Sequence, residues 1–173
     1  VAHPLLASTP AKPTDVPVSD ASVTSDSEIK VAYASPTPAN GGSAITSYEL
    51  QMDDGEGGDF VSIHGFSPSS MITHYTAKED VTKGRMVRFR YRAQNAVGWG
   101  PFSDEASIIA ATVPSAPEAP TFSSFSSGTF YLKIGQSEDN GGTAILDMEL
   151  WRDQGDDYSS VFQEVSLYDG QAL

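Results

Sequence analysis

The chain has 173 residues, and its 15 glycines and 11 prolines interrupt it too often for long helices. A formal net charge of −13 disfavours binding to nucleic acid or anionic lipid, and the absence of cysteine excludes thiol catalysis, zinc–thiolate sites and disulfides. No stretch approaches the roughly 18 consecutive apolar residues of a membrane-spanning helix, so we expect no direct membrane insertion in this segment.

The first hundred or so residues predict a series of short strands. Apolar and polar side chains alternate in Ile29–Tyr33 and Tyr48–Met52, and the second run leads through an acidic, glycine-rich turn into Phe60–Ile63. Val87–Ala93 is the clearest strand, because Val, Phe and Tyr alternate there with three arginines. Weaker strands are predicted at Ile72–Ala77 and Ser107–Thr112. Short strands separated by turns, without any helical period, indicate a two-sheet Greek-key sandwich.

Part of this pattern returns later in the chain. Asn40–Ile45 reads Asn-Gly-Gly-Ser-Ala-Ile, and Asn140–Ile145 reads Asn-Gly-Gly-Thr-Ala-Ile, at an offset of 100 residues. A Glu-Leu pair and an Asp-x-Gly turn follow at the same offset in both places, and the alternating apolar residues of Phe130–Ile134 match Ile29–Tyr33 at an offset of 101. Since one immunoglobulin-like sandwich has about 100 residues, the chain repeats one module, and we expect the apolar face of Phe130–Ile134 to point inward.

The repeat predicts three segments of a tandem array. Residues 10–113 form a complete module, and residues 114–173 form the first half of a following module. The segment Ala2–Pro10 resembles Ala106–Pro114, which closes the complete module, so residues 1–9 are interpreted as the last strand of a preceding module. A half-sandwich exposes its core and its open sheet edges, and we therefore expect the second copy to be unstable alone.

The block Val81–Ser103 resembles the fibronectin type III signature. It contains Val-Thr-Lys-Gly-Arg, the arginine-rich strand, and Ala-Gln-Asn-Ala-Val-Gly-Trp-Gly-Pro-Phe-Ser. Tyr33 stands where this family usually places its core tryptophan, with Ile134 in that position of the second copy. Val87 stands at the position of the family's corner tyrosine and lacks its hydroxyl group. The resemblance implies an all-β fold of tandem immunoglobulin-like (fibronectin type III) Greek-key sandwiches.

One group of residues is a candidate for contact with another protein. Strand alternation places Arg88, Arg90 and Arg92 on one face of a sheet, where Trp99 and Phe102 can fold back across them. A cation stacked on an aromatic ring gains about 0.5–1 kcal/mol at an exposed site. These five residues, the arginine strip, are interpreted either as a contact surface for an acidic partner or as a purely structural set whose arginines pair with Glu49 and nearby acids.

Acidic side chains cluster in the turn after Tyr48–Met52 and in its later counterpart. Calcium needs roughly six to eight oxygen ligands in a compact cage, and the spacing here matches no EF-hand loop, so we interpret these acids as solvated turn residues. The histidines show no metal-binding spacing, and no catalytic motif is present, so we predict neither a cofactor nor enzyme activity. The weak calcium candidates are Asp53, Asp54, Glu56 and Asp59, with Asp153, Asp156 and Asp157 in the later turn, and the histidines are His3, His64 and His74.

Together these features predict a non-catalytic structural or adhesive protein. It would act as a spacer or filament scaffold at a cell surface or in an extracellular assembly, with the proline-rich stretches Pro10–Pro17 and Pro114–Pro120 limiting bending between modules. Its partners would be proteins, namely neighbouring modules or further copies of itself in a filament. Two alternatives stay open: accessory binding modules that tether an enzyme domain of the same chain, and an intracellular filament scaffold.

Overall fold

The structure, a computed structural model, describes residues 6–34, 37–153, 155 and 162–165. It divides into two compact units, Val1–Thr112 and Val113–Leu173, hereafter the first module and the second unit. The interpretations that concern residues 1–5, Asp156 and Asp157 lie outside the described residues. Within the described ranges we find no helix with the length and apolarity to cross a bilayer.

The first module is a sandwich of two antiparallel sheets, which confirms the predicted fold class. One sheet has three strands in the order β1-β2-β5, and the other has four in the order β4-β3-β6-β7. The predicted strands are present with shifted ends, because alternation marks the middle of a strand better than its limits. The strands are β1 (Val18–Ser19), β2 (Ile29–Ala32), β3 (Ile45–Met52), β4 (Val61–His64), β5 (His74–Ala77), β6 (Met86–Asn95) and β7 (Ala106–Ile109).

The core lies between the two sheets and is built around β6. The alternate residues Val87, Phe89, Tyr91 and Ala93 of this strand are all 0% exposed. Tyr33, in the position where the family usually has tryptophan, packs its ring 5.6 Å from that of Tyr91. Each large apolar side chain removed from water in this way contributes about 1.5–3 kcal/mol. The period of two in the sequence thus becomes one buried face and one outer face.

The pairing of β3 with β6 aligns the polar residues on the outer face of the four-stranded sheet. Glu49 lies opposite Arg92, and Gln51 lies opposite Arg90. Since side chains directly opposite each other in a sheet are within contact distance, this register brings the acidic and amide groups of β3 to the arginines of β6.

The second unit consists of two hairpins in its described part. One pairs β8 (Thr121–Ser126) with β9 (Thr129–Lys133), and the other pairs β10 (Trp151–Arg152) with β11 (Gln163–Glu164). The turn between β8 and β9 is Ser-Gly with positive φ at both residues, as a type I′ hairpin turn requires.

The expected inward face of the second unit is not formed. Phe130 and Leu132 in β9 are 70% and 47% exposed. The prediction that they point inward was wrong because alternation supplies an apolar face but not the second sheet that must cover it. The described strands of this unit include no such cover.

Candidate functional site

The outer face of the four-stranded sheet carries the arginine strip. Alternation along β6 turns the side chains of Arg88, Arg90 and Arg92 away from the core. The chain after β6 returns beside this strand, because the amide of Gly100 donates to the carbonyl of Ala93 at 2.9 Å. The amide of Ser103 also donates, at 2.8 Å, to the carbonyl of Tyr91. These two bonds hold the Trp-Gly-Pro-Phe segment over the arginines.

Arginines and aromatic rings alternate in a stack over this face. The guanidinium carbon of Arg90 lies 4.0 Å from the ring centroid of Phe60 and 4.3 Å from that of Phe102. Arg92 lies 4.3 Å from the Phe102 centroid and 4.8 Å from the Trp99 ring. Arg88 lies 5.0 Å from the Phe60 centroid. The structure therefore brings together all five residues of the arginine strip.

Two further aromatic residues belong to this stack and were missed in the sequence. Phe60 lies just before β4, and Phe66 lies just after it, with its ring stacked 5.8 Å from Trp99. Phe60 was detectable in principle, because it adjoins the strand that forms a hairpin with β3, next to β6. Phe66 lies in an irregular loop and carries no periodic signal. We name the seven residues Phe60, Phe66, Arg88, Arg90, Arg92, Trp99 and Phe102 the arginine–aromatic ladder.

Two carboxylates lie beneath the ladder. Oε2 of Glu49 accepts a hydrogen bond from Nε of Arg92 at 2.6 Å, and Oδ2 of Asp53 accepts one from Nε of Arg88 at 2.8 Å. Both acidic residues are only 1% exposed. The ladder covers them, so this outer face is a second, polar packing layer.

The middle arginine is bound to an amide. Nε and Nη2 of Arg90 donate to Oε1 of Gln51 at 3.0 and 2.8 Å. Arg88 makes a further ion pair with Glu105, at 3.2 Å, at the edge of the ladder. The guanidinium groups are therefore fixed by hydrogen bonds within the module as well as by the rings.

Burial and hydrogen bonding have opposite effects on the pKa of Asp53. Burial raises the pKa of its carboxyl, whereas hydrogen bonds from the backbone and side chain of Arg88 and from the backbone of Gly55 lower it, and the pKa ends below its ordinary value of 3.8. The same ion pair raises the pKa of Arg88. Both groups stay charged at neutral pH, and Asp53 acts as an internal counter-ion.

The other calcium candidates are also engaged in local contacts or exposed. Oδ1 of Asp54 accepts from the amides of Glu56 and Gly58 at 2.8 and 3.0 Å, which closes the turn. Glu56 pairs with Arg85 at 2.9 Å, and Asp59 is exposed. In the described part of the chain, no three acidic or histidine side chains are placed to hold a metal ion.

The repeated Asn-Gly-Gly motif forms the same turn in both copies. The amide of the second glycine donates to Oδ1 of the asparagine at 3.0 Å in each, at Asn40 and at Asn140. In the first module the buried side chain of Asn95 secures this turn, since its Nδ2 donates to the carbonyls of Ser8 and Asn40 at 2.6 and 2.8 Å. The glycine pair is thus a turn and not a phosphate site.

Comparison with known proteins identifies the fold. No protein-family model and no curated protein matches the chain. A crystal structure of titin domains is 24% identical over 60% of this chain, with a TM-score of 0.49, and the chain spans 33% of that structure. The solution structure of a fourth human FNIII domain is 20% identical over 67% of this chain and 92% of its own length, with a TM-score of 0.52. The sixth fibronectin type III domain of human fibronectin type III domain containing protein 3 is 22% identical over 63% of this chain and 94% of its own length, with a TM-score of 0.50. The two fibronectin type III domains, with TM-scores of 0.52 and 0.50, show that the chain contains the fibronectin type III fold.

Proposed function

We propose that this chain is a non-catalytic segment of a tandem fibronectin type III array that acts as a spacer or filament scaffold, at a cell surface or in an extracellular assembly. In this proposal residues 10–113 are a complete module, residues 114–173 are the first half of the next, and residues 1–9 are the last strand of a preceding one. Its partners are proteins, namely neighbouring modules or further copies of itself.

One repeated contact carries the proposal. In the first module the amide of Ala11 donates to the carbonyl of Ala39 at 2.9 Å, and in the second unit the amide of Ser115 donates to the carbonyl of Asp139 at 2.8 Å. Both copies thus fasten their leading segment to the residue before Asn-Gly-Gly. We call this backbone hydrogen bond the leading clamp. It supports an array in which one module follows another with little free chain between them.

The connection between the last buried residue of the first module and the leading clamp of the second unit is short. Ala110 is buried in the first module, and its amide donates to the carbonyl of Arg85 at 3.0 Å. Only residues 111–114 separate it from Ser115, and the last of them is Pro114, whose ring restricts the backbone. The shortness of this connection and the restricted backbone at Pro114 support a role in setting distances between modules.

The arrangement of the ladder supports a structural role for its arginines. Arg88 and Arg92 pair with buried carboxylates inside the module, so an acidic partner would have to compete with these internal contacts. The aromatic edge is more accessible, because Phe66 is 52% exposed next to Trp99. We propose that any contact with a neighbouring module uses these exposed rings.

The proposal is tested by the intact mass of the natural protein and by mapping its peptides. We expect a mass far above 18.4 kDa, with further peptides that repeat the Asn-Gly-Gly and Asn-Ala-Val-Gly-Trp patterns. Peptides from a catalytic domain would favour the accessory-module alternative, and antibody labelling inside cells would favour the intracellular filament. A natural protein with a mass close to 18.4 kDa would overturn the array.

A further inference from the structure

The two copies of the Asn-Gly-Gly turn differ in what surrounds the reactive Asn-Gly bond. A backbone nitrogen attacks an asparagine side chain most easily when the next residue is glycine, which has no Cβ to obstruct the approach. The chain contains this pair at Asn40-Gly41 and at Asn140-Gly141. We propose that Asn140 is a site of spontaneous deamidation in the folded protein, promoted by Asp139, and that Asn40 is protected.

The reaction needs no cofactor and balances with water alone. The nitrogen of Gly141 forms a bond to Cγ of Asn140 and loses its proton. The side-chain nitrogen takes up a proton and leaves as ammonia, so a cyclic imide remains. Water then opens the imide at either carbonyl and gives aspartate or isoaspartate. Overall, one water molecule is consumed and one ammonia molecule is released, and the residue gains a negative charge.

Asp139 lies where the departing proton must go. The amide of Gly141 donates a hydrogen bond to Oδ1 of Asp139 at 2.8 Å. A carboxylate that already accepts this hydrogen bond is a positioned base for the step in which the nitrogen loses its proton. Asn140 and Asn40 are both exposed, so water reaches an imide at either site, and the two sites differ in the base and in the packing of the turn.

The first module lacks this base and holds its turn in place. The residue before Asn40 is Ala39, which has no titratable group. The carbonyl of Asn40 accepts a hydrogen bond from Nδ2 of buried Asn95, at 2.8 Å. At Gly41 the carbonyl accepts from the amide of Ser8 at 2.8 Å, and an added Cβ would overlap the carbonyl of Ser8. Attack on Asn40 therefore requires this packed turn to open first.

Deamidation would change the second unit at its leading clamp. The carbonyl of Asp139 accepts the clamp bond from Ser115, and Asn140 accepts the bond from Gly142 that closes the turn. Isoaspartate lengthens the backbone by one carbon, and both products place a second carboxylate beside Asp139. The altered turn would weaken the hydrogen bond from Ser115 to Asp139, so the leading clamp of the second unit would loosen as deamidation proceeds.

The test is an incubation of the whole chain at neutral pH and body temperature, followed by peptide mapping that resolves aspartate from isoaspartate. Both sites are read in the same sample, so Asn40 serves as the internal control. We expect Asn140 to convert at least about tenfold faster than Asn40, because the Asn40 turn must open first. Equal rates at the two sites, or faster conversion of Asn40, would overturn the proposal.

Two variants separate the role of Asp139 from that of the exposed turn. Asp139→Asn keeps a hydrogen-bond acceptor but cannot take the proton, and we expect it to slow conversion of Asn140 about tenfold. This factor is smaller than the roughly hundredfold or greater acceleration that an optimised general base gives. Conversion of Asn40 should not change in this variant. Asn140→Gln should abolish the product in that peptide. An unchanged rate at Asn140 in Asp139→Asn would rule out the carboxylate as the base.

Discussion

The first module and the second unit share their turns but not their packing. In the repeated Asp-x-Gly turn, the amide of Gly55 donates to Asp53 at 3.1 Å, and the amide of Gly155 donates to Asp153 at the same distance. The buried apolar cluster nevertheless lies entirely within residues 29–110. Among the described residues, the repeated sequence therefore reproduces local turns without reproducing a core.

The difference arises from the strand that covers the repeat. In the first module β6 pairs with both β3 and β7 and directs Phe89 into the core. In the second unit, the described strands form two separate hairpins, and Phe130 stays exposed. Turns depend on a few neighbouring residues, whereas burial depends on strands far apart in the chain. Matched substitutions in the two copies can test this comparison.

The largest contrast is expected between a core phenylalanine of the first module and an exposed phenylalanine of the second unit. Phe89→Ala should lower the free energy of unfolding of the first module by about 3–5 kcal/mol, because it removes a fully buried ring. Phe130→Ala should change it by less than about 0.5 kcal/mol. Denaturation followed by the fluorescence of Trp99, in a Trp151→Phe background, isolates the first module, since the chain has 2 tryptophans. Equal effects of the two substitutions would contradict the comparison.

A second contrast concerns the repeated glutamate. Glu49→Ala removes the partner of a mostly buried arginine, and we expect a loss of about 2–3 kcal/mol, less than for a fully desolvated pair because the Arg92 side chain is 21% exposed. Glu149→Ala removes an exposed side chain that bonds Trp151, so stability should not change measurably. Urea denaturation of both variants checks this. A neutral result for Glu49→Ala would show that the ladder repacks without its acid.

Asp53, the aspartate of the repeated turn in the first module, is expected to make the stability of that module depend on pH. The folded-state pKa of Asp53 is lowered, so its contribution to stability is complete above its ordinary pKa of 3.8 and is lost as the pH falls further, through the folded-state value. Asp53→Asn should cost about 2 kcal/mol at pH 7 and should reduce the loss of stability in acid. Asp153→Asn lies in the second unit and should leave the stability of the first module at pH 7 unchanged. Urea midpoints of the first module, measured from neutral pH to strong acid, give the pH dependence of stability for each variant. The same pH dependence in both variants would contradict the role of Asp53 as a buried counter-ion.

The smallest effect is expected within the ladder itself. Phe102 contacts both Arg90 and Arg92, so Phe102→Leu should cost about 1–2 kcal/mol, from two cation–π contacts of about 0.5–1 kcal/mol each. Leucine keeps most of the apolar cover, which separates the ring's electrostatic contribution from its area. Met86→Leu, at an exposed position of β6, is the control and should be neutral. An equally small effect of both substitutions would show that the ladder acts only as a cover.

Much of the first module was predictable from residues close together in the chain. The alternation in β6 predicted both the buried column that contains Phe89 and the outer column of arginines, because a strand has a period of two. The Asn-Gly-Gly turn was predictable because glycine tolerates positive φ. Phe66 was not, since it lies in an irregular loop and reaches Trp99 only through tertiary packing.

The sequence by itself determined the strand faces, the turns, the repeat and the absence of thiol chemistry, because each of these depends on short-range pattern or on composition. Tertiary structure alone decided that Glu49 and Asp53 are buried, that the ladder has seven members, and that the apolar face of the second unit stays open. Burial is a property of two surfaces brought together, and the strand that supplies the second surface is distant in the chain.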